Sequence, residues 1–142
     1  MKKFLLIILV LSFGCKTNSK SEYTIEKVSV AGEIRDIKIP NGEKFEEGVY
    51  SEVQAARVIY LNISESLKDN LSLNQVEDLI SFQGEFIIVN QNADIEYELL
   101  SDKNIEFLKK KSDSKNMNLT KEEIIKIFEI DDYYAKLINI IE

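Results

Sequence analysis

The order in which two hydrophobic periods occur constrains the fold of this chain more than any other feature. β-Branched and aromatic runs with a period of two come early, and the longest stripe with a period near 3.6 comes last. Residues 23–30, Y-T-I-E-K-V-S-V, and 33–39, E-I-R-D-I-K-I, flank Ala31-Gly32 and stop at Pro40 and Asn41-Gly42. Branched side chains suit the pleat of a strand, glycine suits a turn, and proline removes a ladder donor. The stretch predicts two strands joined by a tight turn, or one long strand bent at a glycine bulge.

Downstream, Val49, Val53 and Ala56 fall on one helical face within residues 46–56, while Ile59, Leu61 and Ile63 alternate and predict a strand over 57–63. Ser72 with Gln75 three residues later fits a capping box, and Leu73, Val76, Leu79, Ile80 and Gln83 follow at helical spacing, with Gly84 as the expected stop. Residues 86–89, F-I-I-V, and 94–99, D-I-E-Y-E-L, read as the two strands of a hairpin around the polar 90–92. The polar run 109–116 reads as a loop. Thr120 with Glu123 makes a second capping box, followed by a stripe of Ile124, Ile127, Phe128, Tyr134, Leu137, Ile138 and Ile141, which Asp131-Asp132 is expected to divide into two helices with Asp131 as a cap. Strands followed by helices predict an α+β domain over residues 23–142, a small antiparallel sheet packed against several helices with a helical C-terminus. One domain is what a chain of this length supports, at roughly 100–200 residues per domain.

The beginning of the chain has a different logic. Lys2 and Lys3 precede the apolar run of residues 4–11, which gives way to Ser12, Phe13, Gly14 and the chain's one cysteine, Cys15. This is the three-part layout of a secretory signal peptide, and its apolar run is well short of the ~20 residues that cross a bilayer as a helix. The stretch resembles the signal peptides of bacterial lipoproteins, which end in a lipobox of leucine, two small residues and cysteine. Ser12 stands where that pattern prefers leucine, and Phe13 where it prefers a small residue. The resemblance implies that residues 1–14 are removed, that the Cys15 thiol receives a diacylglyceryl group, and that the new amino terminus is acylated. Residues 16–22, K-T-N-S-K-S-E, contain no apolar side chain to bury, so 15–22 reads as a lipidated N-terminus and flexible tether. Two or three acyl chains, at about 0.8 kcal/mol per buried methylene, hold such a protein on a membrane.

Charge and missing residue types narrow the function. With 25 acidic against 18 basic residues the net charge is −7, and loss of Lys2 and Lys3 makes it more negative. Such a surface repels phosphate backbones, so no nucleic acid is expected as a partner. The chain has no histidine, which removes serine–histidine and cysteine–histidine catalysis and the commonest transition-metal ligand. The S-x-x-K spacing of Ser112 and Lys115 occurs without the companion motifs of penicillin-binding enzymes and reads as part of the polar loop. Asp94, Glu96 and Glu98 alternate, so on a strand they project from one face at intervals of about 6.8 Å, as a cation site or an acid–base pair would require. The same row is what the solvated face of an amphipathic strand looks like. Glu46-Glu47 reads as a surface pair, and Tyr50, Tyr60, Tyr97, Tyr133 and Tyr134 as core or rim residues that can also line a recognition surface.

The expectation is therefore a non-enzymatic lipoprotein of the bacterial cell envelope, anchored in the membrane through Cys15 and binding another protein as an accessory or immunity-type factor. No cofactor and no metal are expected. The alternative is a carboxylate-based hydrolase or cation-binding module built on Asp94, Glu96 and Glu98.

Overall fold

In a computed structural model, residues 22–90 and 101–141 are described. The first element is an antiparallel hairpin of β1 (Tyr23–Val30) and β2 (Glu33–Pro40), in register from Tyr23 opposite Pro40 to Val30 opposite Glu33. Ala31 and Gly32 both have positive φ, 50° and 85°, as a two-residue type I′ turn requires. The two-strand reading is therefore the right one of the pair. One face carries Val28, Ile37 and Ile39 into the core, and the other leaves Ile25 and Ile34 exposed.

Among the described residues the other elements are helices: α1 (Glu52–Asn62), the short α2 (Glu65–Lys68), α3 (Leu73–Asn90), α4 (Asp102–Ser114) and α5 (Lys121–Leu137). The fold is α+β, with the small antiparallel sheet packed on helices and the helical stripe at the C-terminal end. Both α1 and α4 pack against α3 and α5, and the hairpin rests on α1 and α5. A polar clasp fixes the sheet in place. At the end of α1 the Asn62 side chain accepts from the Lys38 backbone N–H at 2.9 Å and donates to the Lys38 carbonyl at 2.8 Å, doing for β2 what a neighbouring strand would do.

Several local expectations change. Residues 57–63 are not a strand: 57–62 belong to α1 and Ile63 is its C-cap. Ala55, Ala56, Ile59 and Ile63 are buried at helical spacing, and the Ser51 side chain caps the helix by accepting from the Gln54 N–H. Gly84 does not stop α3, and residues 86–89 continue it rather than forming a strand. The stripe of Val76, Leu79, Ile80, Gln83 and Phe86 stays buried across the glycine, outweighing a propensity cost of about 1 kcal/mol. The run 109–116 is largely helical as well. Ser101 caps α4, Ile105, Leu108 and Ser112 face inward, and Lys109 pairs with Asp113 at 2.6 Å one turn on. Lys111 crosses to Glu85 on α3 at 2.8 Å.

Both expected capping boxes are present. The Gln75 N–H donates to Ser72 Oγ at 3.3 Å while the Ser72 N–H donates to Gln75 Oε1 at 2.9 Å, and Thr120 and Glu123 do the same for α5 at 3.1 and 2.8 Å. Asp131-Asp132 does not divide α5, which runs unbroken because position 131 belongs to its buried stripe. Among the described residues no helix is long and apolar enough to cross a membrane. The signal-peptide and tether residues 1–21 with Cys15, and the expected strand 94–99, lie outside the described residues.

Candidate functional site

The segment leading into α1 is strapped across the C-terminal half of α5. Gly48, at a φ of 75°, donates its N–H to the Ile138 carbonyl at 2.6 Å, and Asn139 donates to Glu47 Oε1 at 2.9 Å. Tyr134, fully buried, makes T-shaped contacts with two rings, with Phe45 at 5.6 Å and Tyr50 at 5.4 Å between centroids. Its hydroxyl accepts from the Ser51 N–H and donates to Gln54 Oε1. Gln54 in turn donates to Glu43 and to the Lys44 carbonyl, and Arg57 pairs with Glu43. These bonds fix Tyr134, and the Tyr50 ring packs against it.

Tyr50 uses that position to donate its hydroxyl to Asp131 Oδ1 at 2.7 Å. Asp131 is only 9% exposed. An ionised carboxylate loses its hydration there, so burial is the main cause that pushes its pKa up to about 7. The Tyr50 hydrogen bond works against that rise, and the neighbouring Asp132 adds to it. Asp132 is itself raised, by burial first and then by Glu129. Burial, followed by the charge and the hydrogen bond of Asp131, pushes the Tyr50 phenol far above its ordinary value, so its hydroxyl remains a proton donor at any pH the fold meets.

Beside this pair lies a cleft of about 330 Å³. It exists because α3 and α5 are each packed on α1 and α4, leaving their C-terminal parts facing one another across a gap. Ile80, Gly84 and Ile87 form the α3 wall, and Ala135, Ile140 and Ile141 the opposite one. The polar lining among the described residues is Gln83, Tyr50 and three carboxyl groups, Glu52, Asp131 and Asp132, with no basic residue. Glu52 is held toward α3 by the Ser81 hydroxyl at 3.2 Å. A methyl group at Gly84 would sit 3.7 Å from Glu52 Oε1, an ordinary contact. Two of the lining residues, Tyr50 and Ile140, also expose apolar surface to solvent.

The site read from the sequence and the site found here barely overlap. Asp94, Glu96 and Glu98 lie outside the described residues, as does Cys15. Ser112 is buried with its hydroxyl donated to the Lys109 carbonyl at 2.8 Å, and Lys115 reaches toward Asp78 at 4.0 Å, so the two form no joint site. Tyr133 and Tyr134 are core residues, whereas Tyr50 is 38% exposed and lines the cleft. Asp131 is not the cap its sequence context suggests but a buried interior residue of α5. The signal for this is in the spacing: 131 lies three residues after Phe128, four after Ile127 and three before Tyr134, on the apolar stripe itself.

Comparison of the chain with known protein families, with characterised proteins and with solved structures returns no match.

Proposed function

We infer that the protein is a lipid-anchored lipoprotein of the bacterial cell envelope whose folded part binds another protein and performs no catalysis of its own. The binding half rests on one observation, the acidic apolar cleft whose lining residues Tyr50 and Ile140 are themselves exposed. Exposed apolar side chains at an acidic cleft, on a chain with net charge −7, favour a partner that is apolar at its centre and basic around it. What supports the anchor is Cys15 at the end of an apolar run that opens with two lysines, followed by the polar residues 16–22. What supports a non-enzymatic role is the absence of histidine from the chain and of any cysteine other than Cys15.

Mass spectrometry of the protein made in a bacterial host tests the anchor. The expected mature N-terminal peptide begins at Cys15 and carries a lipid adduct, and Cys15→Ala blocks processing at this bond. An unmodified Cys15 thiol on a product released from membranes would refute the assignment. For the binding half, the expected result is an association rate with the captured partner that slows as salt rises. A rate indifferent to ionic strength would count against a basic partner.

A further inference from the structure

We propose that the cleft between α3 and the end of α5 receives a lysine side chain of the partner protein, its ammonium group meeting Asp131 and its methylenes lying along Ile80, Ile87 and Ala135. This rests on the protein-binding reading above and gives it a chemical identity at one site. Charge makes the first selection. Among the described residues three carboxyl groups line the cleft and no cation does, so a carboxylate or a phosphate would enter against a single-sign field. A neutral apolar plug would cover Asp131 without supplying a second donor, deepening a burial that is already costly.

Geometry then separates lysine from arginine. A guanidinium binds best through two parallel hydrogen bonds to both oxygens of a carboxylate. One oxygen of Asp131 already accepts from the Tyr50 hydroxyl at 2.7 Å, which leaves it a single lone pair and only the other oxygen fully open. A point-like ammonium on a flexible apolar stem needs only the other oxygen and places its stem against the isoleucine walls. Exposed apolar surface decides between a free amine and a side chain. Tyr50 and Ile140 line the cleft and also expose apolar area to solvent, which a small amine filling it would leave in water and which the residues flanking a partner's lysine would cover.

The test uses the full-length chain in lipid nanodiscs and two peptides, acetyl-Leu-Lys-Leu-amide and its norleucine counterpart, which has a similar apolar stem without the charge. The lysine peptide is expected to bind about tenfold more tightly, the value of one hydrogen bond to a charged group. Asp131→Asn keeps an acceptor for Tyr50 and is expected to erase that preference. Gly84→Leu fills the cleft from its α3 wall and is expected to abolish binding of both peptides, with thermal melting confirming that each variant remains folded. Equal binding of the two peptides, or a lysine preference that survives Asp131→Asn, overturns the proposal. n-Butylammonium competing as strongly as the lysine peptide also overturns it, in favour of a free amine. A photo-crosslinker at Ile140, which lines the cleft and is exposed, keeps this separate from the broader reading. If it captures a defined partner surface lacking lysine, the cleft assignment falls and protein binding stands; if the captured peptide centres on a lysine between apolar residues, both stand.

Discussion

Asn62, the last residue of α1, and Asp131, in the interior of α5, are both polar helical side chains, and they are treated in opposite ways. Asn62 is a neutral amide whose oxygen and nitrogen meet the Lys38 N–H and carbonyl at 2.9 and 2.8 Å, with a further bond to the Val58 carbonyl at 2.7 Å. Its donors and acceptor are matched by backbone groups, so its desolvation is offset and the result is a rigid joint between α1 and the hairpin. Asp131 is a carboxyl with one side-chain donor, Tyr50, among the described residues, and it sits in a wall of apolar side chains beside an open cleft. A matched amide builds structure. A buried carboxyl with capacity left over holds free energy that a cation can release on binding.

The largest effect that would break this contrast is the pH dependence of Asp131. Its folded pKa lies above its ordinary value of 3.8, at about 7, so between those values the folded protein binds more protons than the unfolded chain. Stability falls as pH rises through that window and is flat above it. A shift of this size is worth up to roughly 4 kcal/mol at 1.36 kcal/mol per unit. Asp131→Asn should therefore be more stable than wild type by roughly 2–4 kcal/mol at pH 8 and about equal to it at pH 4, read as the difference between two denaturant-melt series. A difference that does not change with pH would mean that Asp131 is ionised and satisfied in the fold, as Asn62 is satisfied. Asn62 gives the counterpart. Asn62→Ala leaves the Lys38 N–H and carbonyl without their partner and should cost about 2 kcal/mol at every pH between 4 and 8, with hydrogen exchange rising first in β2.

How much of this was legible in the sequence follows the same division between local and tertiary causes. The hairpin was readable because Ala31-Gly32 fits a two-residue turn, and both capping boxes were readable because their partners lie three residues apart. Short apolar runs were not. Residues 57–63 and 86–89 have the composition of strands, and their helical state depends on Ala55 and Ala56 before the one and on the stripe from Val76 to Gln83 before the other. Ser51 and Gln54 carry the same S-x-x-Q signature as Ser72 and Gln75, so the start of α1 was also written locally. The cleft was not, since it depends on α1 and α4 holding α3 and α5 apart. Its key residue was visible only as a carboxylate at a stripe position, a conflict between charge and period that local capping rules resolve the wrong way.

Two smaller changes sharpen the comparison from either side of the cleft. Tyr50→Phe keeps the ring against Tyr134 but withdraws a side-chain donor from Asp131, which should cost about 1–2 kcal/mol at pH 8 and less at pH 4, where the acid is protonated. The pH-dependent difference between wild type and Asp131→Asn should then grow when Tyr50→Phe is already in place, a coupling that a double-mutant cycle reads directly. Gly84→Ala is the smallest. It replaces a glycine inside α3, where the new methyl group meets Glu52 Oε1 at an ordinary 3.7 Å, so helix propensity predicts a gain of about 0.5–1 kcal/mol at all pH values. The same methyl group narrows the cleft wall opposite Ala135. A variant that melts later yet binds the lysine peptide more weakly would show that Gly84 is retained for the width of the cleft and against the stability of the helix. A gain in stability with unchanged binding would place the ligand nearer Ile140 and Ile141 than the α3 wall.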